Sequence, residues 1–229
     1  SEVKGYLDNG ISPMLKHYGP HGNPLGGLNL ASVDCGLYDL HAVYLKPFEM
    51  VLRHLPVYAV MSTYNSWNRI PNSASRYLLT DILRDRWGFK GYVYSDWGAI
   101  EMLETFHHTA ANKAEAATQA LTAGLDVEAS SECYPELSRL VREGKLDESY
   151  IDTAVHRVLT AKFECGLFED PYGDKHATSG EMHSPRSVEL SRQIAEESIV
   201  LLKNEDNLLP LDMNKLTSIA VIGPNADQV

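Results

Sequence analysis

The sequence predicts an α/β fold in which buried strands alternate with helices. Four short segments have the apolar, β-branched and aromatic composition of buried strands, and each ends in polar residues: 11–17, 56–64, 91–96 and 123–128. The strand ends at Tyr64, Asp96 and Glu128 follow one another at intervals of 32 residues, which suits a strand–helix–strand unit. A doubly wound sheet and a (β/α)8 barrel both fit this pattern.

Helical periodicity occupies the stretches between and after these strands. Residues 77–87 have one apolar face, which consists of Leu78, Leu79, Ile82 and Leu83. Two more helices are predicted after the fourth strand, over residues 134–143 and 148–165, and Asp147 is expected to cap the second.

The pattern breaks after residue 165. Residues 166–185 have little apolar periodicity and are rich in turn-forming residues, namely Pro171, Gly173, Gly180 and Pro185. Beyond them the sequence predicts a helix, a turn at Pro210 and a new buried strand, over residues 188–202, 204–211 and 218–223. The predicted organisation is a domain, a linker and the start of a second domain, over residues 1–165, 166–185 and 186–229.

Composition excludes several classes of function. The 229 residues carry a net charge of −11, which disfavours binding to nucleic acid, because such binding needs clustered Lys and Arg. No apolar run reaches membrane-spanning length and the N-terminal residues lack the pattern of a signal peptide, so no membrane partner is expected. The three cysteines are too widely spaced for a zinc cluster or a disulfide framework: Cys35, Cys133 and Cys165. No strand is followed by a Gly-rich phosphate loop.

Asp96 is the first candidate for chemistry. It follows a buried strand and precedes Trp97 and Gly98, and barrel enzymes build their active sites at the carboxyl ends of such strands. The alternative is an aspartate that caps the following helix. Trp97 offers a flat apolar face on which a sugar ring could stack, although a lone tryptophan is also a common core residue.

The other strand ends supply further polar side chains. Lys16 and His17 end the first predicted strand and could bond to sugar hydroxyls, or could be solvated loop residues. Tyr64 ends the second, where its alternative is a core tyrosine with a satisfied hydroxyl. Glu128 ends the fourth, where its alternative is a loop acid.

Several segments resemble glycoside hydrolase family 3 in their usual order. They are Lys16-His17, the Met-Ser-Thr-Tyr-Asn-Ser-Trp-Asn run around Tyr64, and the Gly-Phe-Lys-Gly-Tyr-Val-Tyr-Ser-Asp-Trp-Gly-Ala run over residues 88–99. Residues 195–204 and 208–211 resemble the lead-in to the second domain of that family. The resemblance implies a TIM-like barrel, of which this chain holds the C-terminal half, followed by an α/β sandwich.

The resemblance also implies an activity and residue roles. It implies a retaining, exo-acting β-glycosidase that releases terminal β-D-glucosyl or xylosyl residues from oligo- or polysaccharide-derived substrates, without a metal or organic cofactor. Asp96 would be the nucleophile and Trp97 would flank the leaving group. Lys16 and His17 would hold sugar hydroxyls, Tyr64 would lie near Asp96, and Glu128 would have a subsite role.

The chain also departs from the family pattern. Four predicted strands are half of a barrel, and the upstream sugar-binding residues and the acid/base of the second domain are expected in the remainder of the full-length enzyme. The alternative acid/base, a His/Asp dyad, lacks its Asp-Ser-His motif, since the nearest sequences are at Asp34 and at Asp39 to His41. A catalytically incomplete carbohydrate-binding or structural remnant is the competing hypothesis. Export to the periplasm or outside the cell is expected, because polysaccharide-degrading members are often exported.

Overall fold

The computed structural model describes residues 2–172 and 183–226, and the chain divides into two compact units, residues 1–172 and 173–229. Much of the predicted linker, residues 166–185, lies outside the described residues.

The first unit is built on a parallel sheet of three strands, β1 (Met14–Tyr18), β2 (Ala59–Ser62) and β5 (Tyr92–Tyr94), in the order β1-β2-β5. Ala59 pairs with Met14 on one side and with Tyr92 on the other. Consecutive parallel strands therefore lie side by side, without the reversal of order that defines a doubly wound sheet. The first three predicted strands are confirmed, although each is shorter than predicted.

The fourth predicted strand, residues 123–128, is wrong as a regular strand. The alanine-rich helix Lys113–Ala123 runs through its first residue and ends at Gly124, whose φ of 110° suits the end of a helix. Only Val127 then pairs with Tyr94, as a single parallel bridge. The segment nonetheless lies along β5, because Val127 donates to Val93 O at 3.0 Å and accepts from Ser95 N at 2.9 Å.

Helices cover the sheet. Those of the first unit are Glu2–Asp8, Leu37–Asp39, Lys46–Leu52, Tyr77–Arg86, Met102–Thr105, Lys113–Ala123, Leu137–Arg142 and Ser149–Glu164, with a wide turn over Leu40–Tyr44 and 3-10 turns over Leu25–Gly27, Asn72–Ala74 and Tyr134–Glu136. The predicted helices over residues 77–87, 134–143 and 148–165 are confirmed. Asp147 accepts from Ser149 N at 2.9 Å, as expected of a residue that caps the last of these helices.

The core lies between the sheet and the helix Tyr77–Arg86. The four residues of its predicted apolar face are all buried, and they pack in one cluster with Val60 and Val93 of the sheet. Burial of each such side chain stabilises the fold by roughly 1.5 to 3 kcal/mol. The helix is wide, since Trp87 N donates to Ile82 O five residues earlier.

A buried charge network fixes the end of β5. Asp126, whose side chain is 1% exposed, accepts from Arg84 at 2.6 Å, from Arg157 at 2.7 Å and from Val93 N at 2.8 Å. Arg84 also donates to Gly91 O at 2.9 Å. Burial lowers the pKa of Arg84 to about 10, although the Asp126 carboxylate raises it. The network joins two helices to the strand that leads to Asp96.

A small hairpin anchors the long segment that follows β1. It pairs β3 (Ser66–Trp67) with β4 (Ile70–Pro71). Val33, from the segment after β1, donates to Ser66 O at 2.8 Å, and Trp67 donates to Cys35 O at 3.0 Å. The segment between β1 and the next helix is thereby held against the end of β2.

The second unit contains the helix Pro185–Ser198 and a 3-10 turn over Glu205–Asn207. The predicted helix over residues 188–202 therefore ends early, and its last four residues are exposed and non-helical. The turn at Pro210 is confirmed. The Asn204 side chain donates to Leu209 O and accepts from Leu209 N, at 2.9 Å each, directly before the proline. The predicted buried strand over residues 218–223 is wrong. Ile222 is 90% exposed, and no described strand pairs with the segment, so its backbone N–H and C=O groups lack the hydrogen bonds that a neighbouring strand would provide.

Over the described ranges, no helix is both long and apolar enough to cross a membrane.

Candidate active site

Three of the sequence-predicted site residues meet at one edge of the sheet. β1, β2 and β5 are parallel, so their carboxyl ends lie at the same edge. His17 is within β1, Tyr64 is two residues past β2, and Asp96 is two residues past β5. The structure thus brings together side chains that are up to 79 residues apart in the sequence.

The Asp96 carboxylate is held from two directions. Its Oδ1 accepts from the Trp97 N–H at 2.7 Å, and its Oδ2 lies 3.3 Å from His17 Nε2. Its side chain is 14% exposed, which leaves access from solvent. The helix-cap alternative does not apply, since Glu101 occupies the cap position of the next helix.

An irregularity in β1 places the Lys16-His17 pair. Leu15 pairs with Val60 but Tyr18 pairs with Ser62, so β1 has one residue more than β2 across this stretch, as in a β-bulge. Lys16 is exposed, whereas the His17 side chain is 24% exposed. Burial lowers the pKa of His17; Asp96 opposes this, while His21 and Lys16 lower it further.

Tyr64 links the end of β2 to the segment after β5. Its hydroxyl donates to Trp97 O at 2.9 Å. Burial raises the pKa of Tyr64, and the negative charge of Asp96 raises it further. His107 lies 3.0 Å from the Tyr64 backbone oxygen through Nε2, and burial lowers the pKa of His107. The Tyr64 hydroxyl therefore has a hydrogen-bond partner, as expected of a core tyrosine, but it also lies close to the Asp96 carboxylate.

Trp97 and Glu128 differ in accessibility. The Trp97 side chain is 71% exposed, so it is not a core tryptophan. The Glu128 carboxylate accepts from Ser131 Oγ at 2.7 Å and from the backbone N–H groups of Cys133 and Tyr134 at 2.9 Å each. These three hydrogen bonds tie the carboxylate to its own loop, and a subsite contact remains a prediction.

The residues of the dyad alternative lie in other contacts. His41 Nε2 is 3.3 Å from the Tyr77 hydroxyl, and the Asp34 carboxylate bonds to Ser32 and Arg69. In the part of the chain that the structure describes, no group of three or more His, Cys, Asp or Glu side chains could hold a metal ion.

Sequence reasoning missed a polar cluster behind His17. It consists of His21, Thr63 and Asn65, and the last two are fully buried. A signal was available, since polar residues directly after the apolar β2 are unusual in a core. The Asp126 network was also missed.

A cavity of about 560 Å³ lies between β1 and the helices Glu2–Asp8 and Lys46–Leu52, and Asp96 does not line it. It is lined by Glu2, Val3, Tyr6, Ile11, Pro13, Met14, Leu15, Lys16, Pro47, Phe48 and Val51. Of the predicted site residues it includes only Lys16.

Known proteins resemble this chain over most of its length. The family model of the glycosyl hydrolase family 3 N-terminal domain matches residues 1–161. A periplasmic β-glucosidase of Salmonella typhimurium is 39% identical over 225 residues, and a putative β-xylosidase of Formosa agariphila is 38% identical over 221 residues. Each match covers 95% of this chain and 29% of the relative.

A solved β-glucosidase structure from Erythrobacter marinus superposes with a TM-score of 0.77 at 40% identity, over 88% of this chain and 27% of that one. The chain thus spans less than a third of the length of these relatives. The matched N-terminal domain has a TIM-barrel-type fold, and the two curated relatives carry the names β-glucosidase and β-xylosidase. Because the family model covers most of its length, the chain belongs to glycosyl hydrolase family 3.

Proposed function

We propose that these 229 residues are part of a retaining, exo-acting β-glycosidase in which Asp96 is the nucleophile. The observation that carries the proposal is the setting of Asp96: a partly accessible carboxylate past the end of β5, bonded to the Trp97 N–H and 3.3 Å from His17 Nε2. A retaining glycosidase needs such an ionised carboxylate to attack the anomeric carbon. One carboxylate oxygen would form the glycosyl bond as the aglycone leaves.

Retention also needs a second carboxyl group, about 5 Å away, which acts first as acid and then as base. Glu128 is a poor choice, because three hydrogen bonds hold its carboxylate to residues 131–134. The proposal therefore places the acid/base on a part of the full-length enzyme outside these residues. Each match covers 29% of the relative, so most of each relative's length lies outside it and could provide the acid/base.

The same proposal assigns an architecture. Residues 1–165 would be the C-terminal half of the barrel and residues 186–229 the start of an α/β sandwich, with residues 166–185 as the linker. The position of β1 supports this, since β1 is at the edge of the sheet and a largely apolar cavity lies beside it, where further barrel strands could pack. Lys16 and His17 would bind hydroxyls of the sugar, Trp97 would flank the leaving group, and Glu128 would act, if at all, in a subsite.

The proposed substrates are β-glucosides or β-xylosides, because relatives carry both names. Export to the periplasm or outside the cell is part of the proposal, and the periplasmic relative supports it.

The test replaces Asp96 by Asn in the full-length enzyme, assayed with aryl β-glucosides and β-xylosides. The substitution keeps the shape and removes the negative charge, so turnover should fall by several orders of magnitude with an unchanged circular dichroism spectrum. Asp81→Asn is the matched control, since Asp81 is a half-exposed acid paired with Arg76 on an outer helix. Near-normal turnover of Asp96→Asn contradicts the nucleophile assignment.

A second candidate is a carbohydrate-binding or structural remnant without activity. The hydrogen bonds of Glu128 to its own loop favour this second candidate. They leave Asp96 as the one carboxylate at the described strand ends that is available for catalysis. Calorimetry and the hydrolysis assay together separate the candidates. A carbohydrate-binding remnant binds glucose or cellobiose in the calorimeter, but its full-length form hydrolyses neither the aryl β-glucoside nor the aryl β-xyloside.

A further inference from the structure

Asn65 lies at the centre of the polar cluster behind His17. Its amide is fully buried, and Nδ2 donates to Asn29 O and Ala31 O at 2.8 Å each. Its Oδ1 accepts from Thr63 Oγ1 at 2.8 Å and lies 2.7 Å from His21 Nδ1. An amide has two N–H donors and two acceptor sites, so all four are used.

The two backbone oxygens fix which way this amide points. A flipped amide would place its oxygen against Asn29 O and Ala31 O, and acceptor would face acceptor. Since Oδ1 must therefore face His21, the nitrogen Nδ1 has to carry a proton. The Thr63 hydroxyl, 3.0 Å from the same nitrogen, gives its own proton to Asn65 and can accept this one. Neutral His21 is thus confined to the tautomer with an unprotonated Nε2.

The backbone between the two histidines is also held closely. Gly19 has a φ of 127°, and a Cβ there would lie 3.0 Å from Thr63 Cγ2 and 2.9 Å from Asn72 Nδ2. Thr63 N donates to Tyr18 O at 3.3 Å. The turn from β1 to His21 therefore follows the surface of the segment after β2.

The His21 ring packs against the ring of His17. Their centroids are 4.7 Å apart with 40° between the planes, and His17 Nε2 is 3.3 Å from Asp96 Oδ2. The contacts form one chain: Asn65 orients His21, His21 lies against His17, and His17 lies beside the carboxylate.

We propose that His21 is a positioning residue, whose tautomer and ring plane are set by Asn65 and whose ring holds the His17 imidazole beside Asp96. The role rests on the proposed function, because it matters to turnover only if Asp96 reacts. It assigns His21 an action through His17 rather than a contact with the sugar.

The first test needs no activity. In the 229-residue chain labelled with 15N-histidine, the nitrogen shifts of neutral His21 should show a protonated Nδ1 and an unprotonated Nε2, and Asn65→Leu should lose this preference. A protonated Nε2 in the unsubstituted chain, or an unchanged tautomer in Asn65→Leu, overturns the proposal.

The same spectra report on His17. Its pKa is affected by burial, by Asp96, and by the positive charges of His21 and Lys16. His21→Phe keeps a ring but removes one of those charges, so the pKa of His17 should rise, whereas the exposed control His54→Phe should leave it unchanged. An unchanged His17 titration in His21→Phe overturns the coupling between the two rings.

The second test is a double-mutant cycle in the full-length enzyme. His21→Phe should lower kcat/KM about tenfold, and should cause no further loss when His17 is already Asn, because a residue that acts through His17 has nothing left to position. An equal loss in both backgrounds overturns the proposal. If Asp96→Asn keeps turnover the proposed function fails, but the tautomer and the His17 titration still decide the status of His21.

Discussion

Replacing Asp126 by Asn should destabilise the first unit strongly. The carboxylate is 1% exposed and is the common partner of Arg84, 8% exposed, and Arg157, 23% exposed. Asn keeps the shape, but it removes the charge that compensates both guanidinium groups and places an N–H donor against one of them. Removing one member of a buried ion pair costs about 3 to 5 kcal/mol.

The expected shift can be measured in urea. With a slope of about 2 kcal/mol per molar, a loss of about 4 kcal/mol moves the unfolding midpoint down by about 2 M. The probe is tryptophan fluorescence, since all three tryptophans lie in the first unit: Trp67, Trp87 and Trp97.

Two matched variants make the result specific. Glu136→Gln breaks an exposed ion pair with Arg139 and should change the midpoint little. Arg157→Met removes the more exposed partner of Asp126 and should fall between the two. If Asp126→Asn shifts the midpoint no more than Glu136→Gln does, the network does not hold the end of β5 in place.

Three further outcomes follow from the geometry. Gly91→Ala should prevent folding, because a Cβ there would lie 2.2 Å from Tyr58 O. A Cβ at Gly88 would have no atom within 4 Å, but the residue has a positive φ of 74°, so Gly88→Ala should still fold, with a lower melting temperature by circular dichroism. Lys16→Ala and His17→Ala should each lower kcat/KM of the full-length enzyme by about one to two orders of magnitude. Wild-type kcat/KM values for both variants would contradict the proposal that the sugar binds at this edge of the sheet. The 229-residue chain alone should not hydrolyse cellobiose, and hydrolysis that a Glu128→Gln substitution abolishes would contradict this.

Local pattern predicts the parts of the fold that depend on burial alone. β1, β2 and β5 were predictable because each lies in a short segment rich in apolar, β-branched or aromatic residues. The helix Tyr77–Arg86 was predictable because its buried leucines and isoleucine share one face. The fourth strand was not predictable in the same way. Residues 123–128 are apolar enough for a strand, but the helical preference of the alanines before them extends the helix to Ala123, and Gly124 ends it. Residues 218–223 show the converse, because an apolar run becomes a strand only where another strand pairs with it.

The site divides in the same way. The meeting of His17, Tyr64 and Asp96 follows from parallel strand ends, which the spacing indicates. The role of Asn65 could not be predicted in this way. Its orientation is set by the backbone oxygens of Asn29 and Ala31, and no pattern of side chains in the sequence reveals these contacts.

The identity of the nucleophile is tested most directly by trapping the covalent intermediate. A 2-fluoro-β-glycoside with a good leaving group, incubated with the full-length enzyme, should inactivate it and leave the sugar on the peptide that contains Asp96, as read by mass spectrometry of the digest. The Asp96→Asn variant should take up no label. Label on another carboxylate, Glu128 included, or an unlabelled Asp96 in enzyme that has been inactivated, would contradict the assignment of Asp96 as the nucleophile.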